Sequence, residues 1–173
     1  MSTPALSLRN LTLDLPTPAG PVRILHGVDL EVGRGEIVGL VGESGSGKSL
    51  TALSVLGLLP RGAEVGGTVE LDGTDLLEAP ARVLRTVRGG RVGMVFQDPM
   101  TTLDPVMRVG RQIGEAYRIH HRDAGRREVR RRTFELLELV GVPDAAQRAR
   151  QYPHQWSGGM RQRAVIAMAL AND

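Results

Sequence analysis

The residues most capable of chemistry form one short stretch that fits the pattern G-x-x-x-x-G-K-[S/T]: Gly42, Glu43, Ser44, Gly45, Ser46, Gly47, Lys48 and Ser49. Small residues let successive backbone N–H groups turn towards one point, where they bind phosphate oxygens. A helix that begins near Lys48 directs its positive end to the same place. The Lys48 ammonium can bridge two phosphates, and the Ser49 hydroxyl is placed to bind Mg²⁺. The stretch, with the adjoining Leu50, predicts nucleotide binding.

The lysine of this loop stands out in the composition. Lys48 is the only lysine among the 22 basic residues of a chain of 173, and all the others are arginine. A GC-rich genome explains an excess of arginine codons. A compact ammonium on a flexible stem fits between two phosphates where a wide planar guanidinium does not. We therefore interpret position 48 as one where an arginine could not replace the lysine, because a guanidinium would not fit between the phosphates.

Gln97 is a second residue that could act in chemistry, and it follows the apolar run Val92–Phe96. An amide that leaves the carboxyl end of a strand is well placed to reach a magnesium ion and an attacking water, and this is the role we predict for Gln97. The alternative is a turn that ends the strand, with Asp98-Pro99 as the breaker. A phosphate loop alone does not distinguish kinases, GTPases and ATPases, so this second segment matters.

The third segment is the start of a helix. Ser157 is a typical N-cap, and Gly158 and Gly159 leave the backbone open to a ligand. Two arginines, Arg161 and Arg163, lie in the first turn, where the helix dipole disfavours cations. We predict that an anion in front of the helix offsets this cost; the alternative is a capped amphipathic helix with solvated arginines. Its apolar face is predicted to contain Met160, Ala164, Met168 and Ala171.

In this order, the three segments resemble the ATP-binding cassette (ABC) ATPases. Residues 42–49 resemble their Walker A loop, Gln97 their Q-loop glutamine, and Ser157-Gly158-Gly159 their signature motif. The resemblance implies ATP and Mg²⁺ as ligands, with Ser49 and Gln97 at the metal. It also implies a head-to-tail dimer in which the signature residues of one subunit contact the ATP of the other. Within the family, residues 96–105 and 156–163 look most like subunits of dipeptide, oligopeptide and nickel importers.

The fold implied by the resemblance is α/β: a P-loop NTPase core with an N-terminal antiparallel β region and an inserted helical subdomain, incomplete at the C-terminus. We expect residues 1–97 to form the nucleotide-binding core and residues 98–173 the helical subdomain with the signature motif at 156–163. The local patterns agree, because strand-like segments precede Phe96 and helical patterns run from about Met107 to Ala171.

The first half of the chain has a clear alternation of strand and helix signals. Apolar residues at every second position predict a strand from Leu6 to Leu15, with a possible irregularity at Asn10. The continuous apolar run Ile37–Val41 is typical of a strand buried on both faces, and the run Val92–Phe96 predicts another apolar strand. Good helix formers from Leu50 to Leu59 predict a helix after the phosphate loop.

Composition excludes several classes of protein. The chain has no cysteine, which excludes disulfide scaffolds, cysteine nucleophiles and thiolate zinc sites. It has no visible signal peptide or membrane-spanning run, so we expect a soluble, cytosolic chain. An arginine run, residues 126–132, indicates either a nucleic acid or anionic membrane contact or a solvated helix face. We favour the solvated face, because no interleaved aromatics offer base stacking, and we expect no nucleic acid partner.

The sequence departs from the family pattern at three places. Met160 stands where the wider family often has glutamine, and Leu15 stands where many members stack an aromatic residue on adenine. The chain ends at Asp173, before the family's Walker B strand, catalytic glutamate, D-loop and switch histidine. The four histidines lie elsewhere: His26, His120, His121 and His154. We therefore expect residues 1–173 alone to bind nucleotide poorly and to hydrolyse it negligibly, and a missing central strand to expose its neighbours' apolar faces.

The resemblance implies the ATP-binding subunit of a transporter that couples ATP hydrolysis to import of peptides or a related solute. Its partners would be a second ATPase subunit, identical or homologous, transmembrane permease subunits and, indirectly, a solute-binding protein. The expected location is peripheral, on the cytoplasmic face of the membrane. Two alternatives stay open: a non-catalytic nucleotide-binding or dimerisation module, and a soluble ABC ATPase that does not act in transport.

Overall fold

The computed structural model describes residues 4–98 and 102–173 and consists of two compact units, Met1–Arg85 and Thr86–Asp173. The first unit is built mainly from strands and the second mainly from helices, as the sequence patterns predict. The division of the chain into a core of residues 1–97 and a helical subdomain of residues 98–173 stays a prediction.

The first unit contains a four-stranded antiparallel sheet with the order β2-β1-β3-β4. Its strands are β1 (Leu6–Thr17), β2 (Gly20–Val32), β3 (Glu64–Leu71) and β4 (Thr74–Asp75). A tight turn joins the last two, with Asp72 at a φ of 46° and Gly73 at 76°. These angles suit Asp-Gly, the residue pair most favoured in two-residue hairpin loops.

The irregularity predicted at Asn10 is confirmed as a bulge in β1. Asn10 has a φ of 45°, and its backbone N–H donates to Asp29 Oδ1 at 2.7 Å. The pairing of β1 with β2 shifts register between Leu8 and Leu11. Because one extra residue reverses the alternation of side chains, Leu8, Leu11 and Leu13 are all buried.

The helix predicted after the phosphate loop is α1 (Lys48–Leu56). It ends earlier than predicted because Gly57 adopts a left-handed conformation with a φ of 59°. The N–H groups of Gly57 and Leu58 then bind the carbonyls of Ser54 and Leu53, at 3.1 and 3.0 Å. This pattern is a common way for a helix to satisfy its last carbonyl groups.

The predictions of a strand at Ile37–Val41 and of a strand at Val92–Phe96 are both wrong. Neither segment forms a strand; a single parallel bridge joins Arg88 to Val92. Ile37 is 98% exposed and Val41 is 93% exposed. A strand buried on both faces needs partners for its backbone groups on both sides. None of the four strands in the described part of the chain pairs with either segment, so the apolar pattern has no sheet to join.

The second unit is helical. After α2 (Ala81–Val87), which crosses the boundary between the two ranges, it contains α3 (Val109–Arg118), α4 (Arg126–Leu139), α5 (Ala145–Arg148), a short 3₁₀ turn (Pro153–Gln155) and α6 (Gly158–Ala169). Its core is a single apolar cluster that includes Val109, Ile113, Leu136, Leu137, Trp156, Ala164 and Val165. No helix formed by the described residues combines the length and apolar character that a bilayer span requires.

Two glycines in α3 allow its neighbours to approach closely. A Cβ on Gly110 would lie 2.6 Å from the Ala149 Cβ, and one on Gly114 would lie 2.9 Å from the Val129 Cγ1. Both distances are too short for real carbon contacts. The spacing of the helices around α3 therefore depends on glycine at these two positions.

A buried amide fixes the segment that enters α3. Gln112 is 6% exposed, and its Nε2 donates to the carbonyls of Asp104 and Met107, each at 2.9 Å. Its Oε1 accepts from the Asp104 N–H at 2.9 Å. All the polar atoms of this side chain are therefore used on one short backbone segment.

We expect Gln112→Ala to lower the free energy of unfolding by about 1–3 kcal/mol, because it leaves backbone groups without partners. Denaturant unfolding followed by far-UV circular dichroism measures the loss. Gln147→Ala is the matched control, since Gln147 is exposed and its side chain has no hydrogen bond among the described residues. Equal stabilities of the two variants would contradict this role for Gln112.

A hydrogen bond between Tyr117 and Glu128 joins α3 to α4. The phenol donates to Glu128 Oε1 at 2.9 Å, and the Tyr117 ring stacks on His121 with centroids 4.1 Å apart. The hydrogen bond to the Glu128 carboxylate is the main cause that raises the pKa of Tyr117 above its ordinary value, and partial burial adds to it. The stabilisation from this bond is complete below the ordinary tyrosine pKa of about 10 and is lost as pH rises through the raised pKa.

We expect Glu128→Gln to lower the pKa of Tyr117, because the variant removes the charged acceptor. Absorbance titration at alkaline pH measures the change, with Tyr152, the other tyrosine of the chain, as an internal reference. Glu138→Gln, an exposed substitution on α4, serves as the control and leaves the titration unchanged. An identical tyrosine titration in the two variants would show that Glu128 does not hold the phenol proton.

Candidate nucleotide-binding site

The loop before α1 turns by means of glycines with positive φ. Gly45 has a φ of 82° and Gly47 a φ of 89°, a region that side chains with a Cβ rarely adopt. A Cβ on Gly47 would also lie 2.5 Å from Leu25 Cδ2, a side chain buried in the sheet of the first unit. The glycine spacing of the motif thus has a steric cause in this fold.

The Lys48 ammonium lies against the same loop. Its Nζ donates to the Gly42 carbonyl at 2.8 Å, to the Glu43 carbonyl at 2.6 Å and to Ser46 Oγ at 3.3 Å. An ammonium has three donors, so three acceptors of this one loop match its full capacity. The loop therefore concentrates a full positive charge at the place where the helix begins.

The first turn of α1 adds N–H donors to this charge. The N-cap residue is Gly47, so no side chain accepts from the first N–H groups of the helix. Ser49 is exposed and Leu50 is half-buried in this turn, and both lie next to the loop as predicted. Together, the loop, the ammonium and the helix terminus form an arrangement that can bind phosphate oxygens.

The helix predicted after Ser157 is α6, in the second unit. Ser157 Oγ accepts from the Met160 N–H at 3.3 Å, so the predicted N-cap is confirmed. Nothing lies within 4 Å of the position that a Cβ would take on Gly158 or Gly159. These three residues are exposed, and the backbone at the start of α6 is open to approach.

The two arginines predicted for the first turn lie further along α6, Arg161 as its fourth residue and Arg163 as its sixth. Arg161 Nε donates to the Pro153 carbonyl at 2.8 Å, and Arg163 Nη1 donates to the Gly141 carbonyl. Both cations are therefore offset by carbonyl oxygens of the same unit. They are neither simply solvated nor dependent on an external anion.

The predicted apolar face of α6 packs on the core of the second unit. Ala164 and Ala171 are fully buried, and Met160 and Met168 are partly buried against the same cluster. Ala171 follows the end of the helix at Ala169. The face is therefore confirmed, and it anchors the helix so that its N-terminus has a fixed position.

The sequence also predicts Gln97 and Leu15 as ligand residues. Gln97 is exposed at a bend in the second unit, and Pro99 of the alternative turn lies outside the described residues. Leu15 is half-buried near the end of β1, opposite Val22 of β2, which is 46% exposed. The roles of Gln97 and Leu15 towards magnesium and adenine stay predictions.

Sequence reasoning missed the position of Arg132 in α4. Its guanidinium donates to the carbonyls of Leu170 and Ala171, each at 3.3 Å, and to the Asp173 carbonyl at 2.7 Å. A cation at the last carbonyls of a helix is favourable. Arg131 pairs with Glu135 at 3.4 Å, and Arg130 lies over the Phe134 ring. The run is therefore only partly a solvated face, and no local spacing signal could reveal a contact with residues 38–41 positions away.

Comparison with known proteins gives consistent results. The chain is 47% identical over 171 residues to the oligopeptide transport ATP-binding protein OppD of Mycobacterium tuberculosis, covering 99% of this chain and 28% of that protein. It is 48% identical to a putative peptide import ATP-binding protein of Brucella abortus, with 99% and 52% covered. It is 44% identical to the dipeptide transport ATP-binding protein DppD of Lactococcus lactis, with 97% and 48% covered. The chain thus spans about half or less of the length of these relatives.

Solved structures support the same fold. A dimeric post-hydrolysis structure of the ATP-binding cassette MJ0796 bound to ADP and phosphate matches with a TM-score of 0.83 and 29% identity, covering 96% of this chain and 69% of that one. A component of the cbiONQ ABC transporter complex of Clostridium perfringens matches with a TM-score of 0.75 at 22% identity, covering 99% and 62%. The second match supports the fold alone.

Residues 25–173 also match the family described as ABC transporter. This range contains the phosphate loop, Gln97 and the start of α6, in the order from which the sequence resemblance was drawn. The P-loop ABC ATPase fold expected from the sequence is confirmed by these matches. The chain belongs to the ABC transporter family.

Proposed function

We propose that this chain is the ATP-binding part of an ABC importer subunit and that the importer carries peptides. The observation that carries the proposal is the Lys48 ammonium, held by two carbonyls and a hydroxyl of the glycine loop at the start of α1. The names of relatives from three genera, each of which refers to peptide transport or import, support the substrate class. The proposed location is the cytoplasmic face of a membrane, against permease subunits.

In this proposal, residues 42–50 bind the phosphates of ATP. Negatively charged oxygens are stronger acceptors for an ammonium than neutral carbonyls, so Lys48 would exchange its loop carbonyls for phosphate. The N–H groups of the first turn of α1 would bind the remaining oxygens. Leu15 would give the adenine an apolar contact in place of a stacked aromatic ring.

The two residues that the sequence predicts for Mg²⁺, Ser49 in the first unit and Gln97 in the second, would supply oxygen donors of suitable chemistry. Ser49 offers an exposed hydroxyl and Gln97 an exposed amide oxygen, and Mg²⁺ is usually bound by one or two protein oxygens plus substrate phosphates and water. No cluster of three or more His, Asp or Glu side chains occurs in the described ranges that could bind the ion without phosphate. When bound, the ion neutralises charge on the phosphates.

The signature residues would act on a second copy of the cassette. Ser157, Gly158 and Gly159 are exposed at the start of a twelve-residue helix whose other end is fixed in a core. Because Arg161 and Arg163 donate to carbonyls of the same unit, the N–H groups at the start of the helix would be left to face an anion. The dimeric state of the MJ0796 structure supports a second copy, and the head-to-tail arrangement is part of the proposal. Closure on ATP and reopening after hydrolysis would drive transport.

Hydrolysis by the whole protein belongs to the same proposal. We assign no catalytic carboxylate within residues 4–98 and 102–173. The inability of residues 1–173 alone to hydrolyse ATP stays a prediction.

A chemical labelling experiment tests ATP binding at Lys48. Because the chain has a single lysine, an amine-specific reagent modifies only Lys48 and the terminal amine. We expect saturating Mg-ATP to slow the modification of Lys48 several-fold, since phosphate would occupy the three donors of the ammonium. Peptide mass spectrometry measures both positions in one sample.

The terminal amine provides the internal control, since its rate should not change. Adenosine, which has no phosphates, is added together with Mg²⁺ as the ligand control and should give no protection. Equal modification of Lys48 with Mg-ATP and with adenosine plus Mg²⁺ would contradict the proposed site.

Substitution of Ser157 tests whether this residue contacts the ATP of a second copy of the cassette. It also separates that role from the contribution of Ser157 to stability. Ser157→Ala removes the N-cap and should cost about 1 kcal/mol of stability. Ser157→Asp keeps the cap but places a negative charge where the phosphates of the second copy would lie. We expect Ser157→Asp to retain the thermal stability of the parent chain and to lose ATP-dependent dimerisation, as measured by analytical ultracentrifugation. Dimerisation of Ser157→Asp equal to that of the parent would exclude the head-to-tail contact.

A further inference from the structure

A cleft in the second unit carries a strong excess of positive charge. It has a volume of about 450 Å³ and lies between α3, α4 and the segment after α5. Six arginines line it: Arg108, Arg111, Arg118, Arg126, Arg130 and Arg150. Its lining includes one carboxylate, Glu115, which pairs with Arg111 at 2.9 Å. The phosphate loop belongs to the other unit, Met1–Arg85.

Three of the arginines have no local acceptor. Within residues 4–98 and 102–173, the side chains of Arg118, Arg126 and Arg150 form no ion pair or hydrogen bond, and all three are exposed. Elsewhere in the same unit, Arg132, Arg161 and Arg163 all donate to backbone carbonyls. Among the described residues, these three cleft arginines therefore have no protein acceptor to give up when a ligand binds.

Two other arginines of the cleft are held in place by aromatic rings. The Arg130 guanidinium carbon lies 5.3 Å from the centroid of the Phe134 ring, and that of Arg108 lies 5.9 Å from the centroid of Tyr152. Such contacts restrict a long side chain before a ligand arrives, which lowers the entropic cost of binding.

The floor of the cleft is apolar. Its lining includes Val129, Phe134 and Ala149, and the two glycines of α3, Gly110 and Gly114. These glycines allow the close approach of Ala149 and Val129 described above, so the floor depends on contacts that tolerate no Cβ. An apolar floor under charged walls suits a ligand that has both an anionic and an apolar part.

We propose that this cleft binds a small soluble oligophosphate that carries an apolar or aromatic group, as a nucleotide does. Adjacent phosphates place several charges in a small volume, and the planar fork of arginine matches phosphate oxygens in pairs. The volume falls in the range of small-molecule sites, about 300–1,000 Å³. A site of this kind would let the concentration of a phosphorylated metabolite act on the helical unit independently of ATP at Lys48.

The test must separate this cleft from the phosphate loop. All measurements therefore use the chain with Lys48→Ala, which removes the charge of the loop but no residue of the cleft. Inorganic tripolyphosphate is the first probe, titrated by isothermal calorimetry at one fixed ionic strength. We expect binding with a stoichiometry of one.

Two double variants, each of which removes two positive charges, test whether tripolyphosphate binds in the cleft. Arg118→Gln with Arg126→Gln removes two cations of the cleft. Arg122→Gln with Arg127→Gln removes two exposed cations that do not line it. We expect the first pair to weaken tripolyphosphate binding by about tenfold or more and the second by less than about twofold, since lost charge-assisted hydrogen bonds cost that much. Far-UV circular dichroism verifies that both variants keep their helices.

Equal weakening by the two pairs, or no saturable binding by the Lys48→Ala chain, would overturn the proposal. Guanosine triphosphate is the second probe, and we expect it to bind several-fold more tightly than tripolyphosphate because its base covers the apolar floor. Equal affinities would remove the apolar part of the proposal. Vesicles of phosphatidylglycerol that bind through Arg118 and Arg126 and are not displaced by either probe would assign the cleft to a lipid surface instead.

Discussion

The candidate nucleotide-binding site depends on one steric constraint, the contact between Gly47 and the Leu25 side chain. The space at Gly47 is so small that a Cβ would lie 2.5 Å from Leu25 Cδ2, and the backbone there has a φ of 89°. Leu25 is itself fixed by burial in the antiparallel sheet. The sheet therefore determines where α1 begins, and the start of α1 determines where Lys48 meets the loop. A phosphate site built in this way is positioned by packing before any ligand binds.

Close packing against glycine also determines the arrangement of the second unit. Gly110 and Gly114 of α3 leave no space for side chains, so Ala149 and Val129 approach the α3 backbone. Gln112, between them on the same helix, binds the backbone of the segment that enters α3. One helix thereby orders a loop, a helix pair and the floor of the arginine-lined cleft. Close approach at its two glycines is therefore central to the arrangement of this unit.

Local signals in the sequence were sufficient for some elements and insufficient for others. The alternation in β1, the cap at Ser157 and the glycine loop each depend on residues a few positions apart, and each could be predicted. The run Ile37–Val41 has an equally clear local pattern but is exposed, because strand formation requires a partner strand that the pattern does not contain. The partners of Arg132 and Arg163 are at least 22 residues away, and no spacing rule could indicate them.

The many arginines of this chain make different kinds of contact. A guanidinium has five donors in a fixed fork, and in this chain several forks are used to bind the carbonyls at helix ends and turns. Others lie over aromatic rings, where charge is offset without a hydrogen bond. Lys48 differs because its three acceptors lie within one tight loop, where an ammonium fits. The same basic charge therefore serves to cap helices, to pack on rings and to bind a tight loop, and the geometry of the available acceptors determines which.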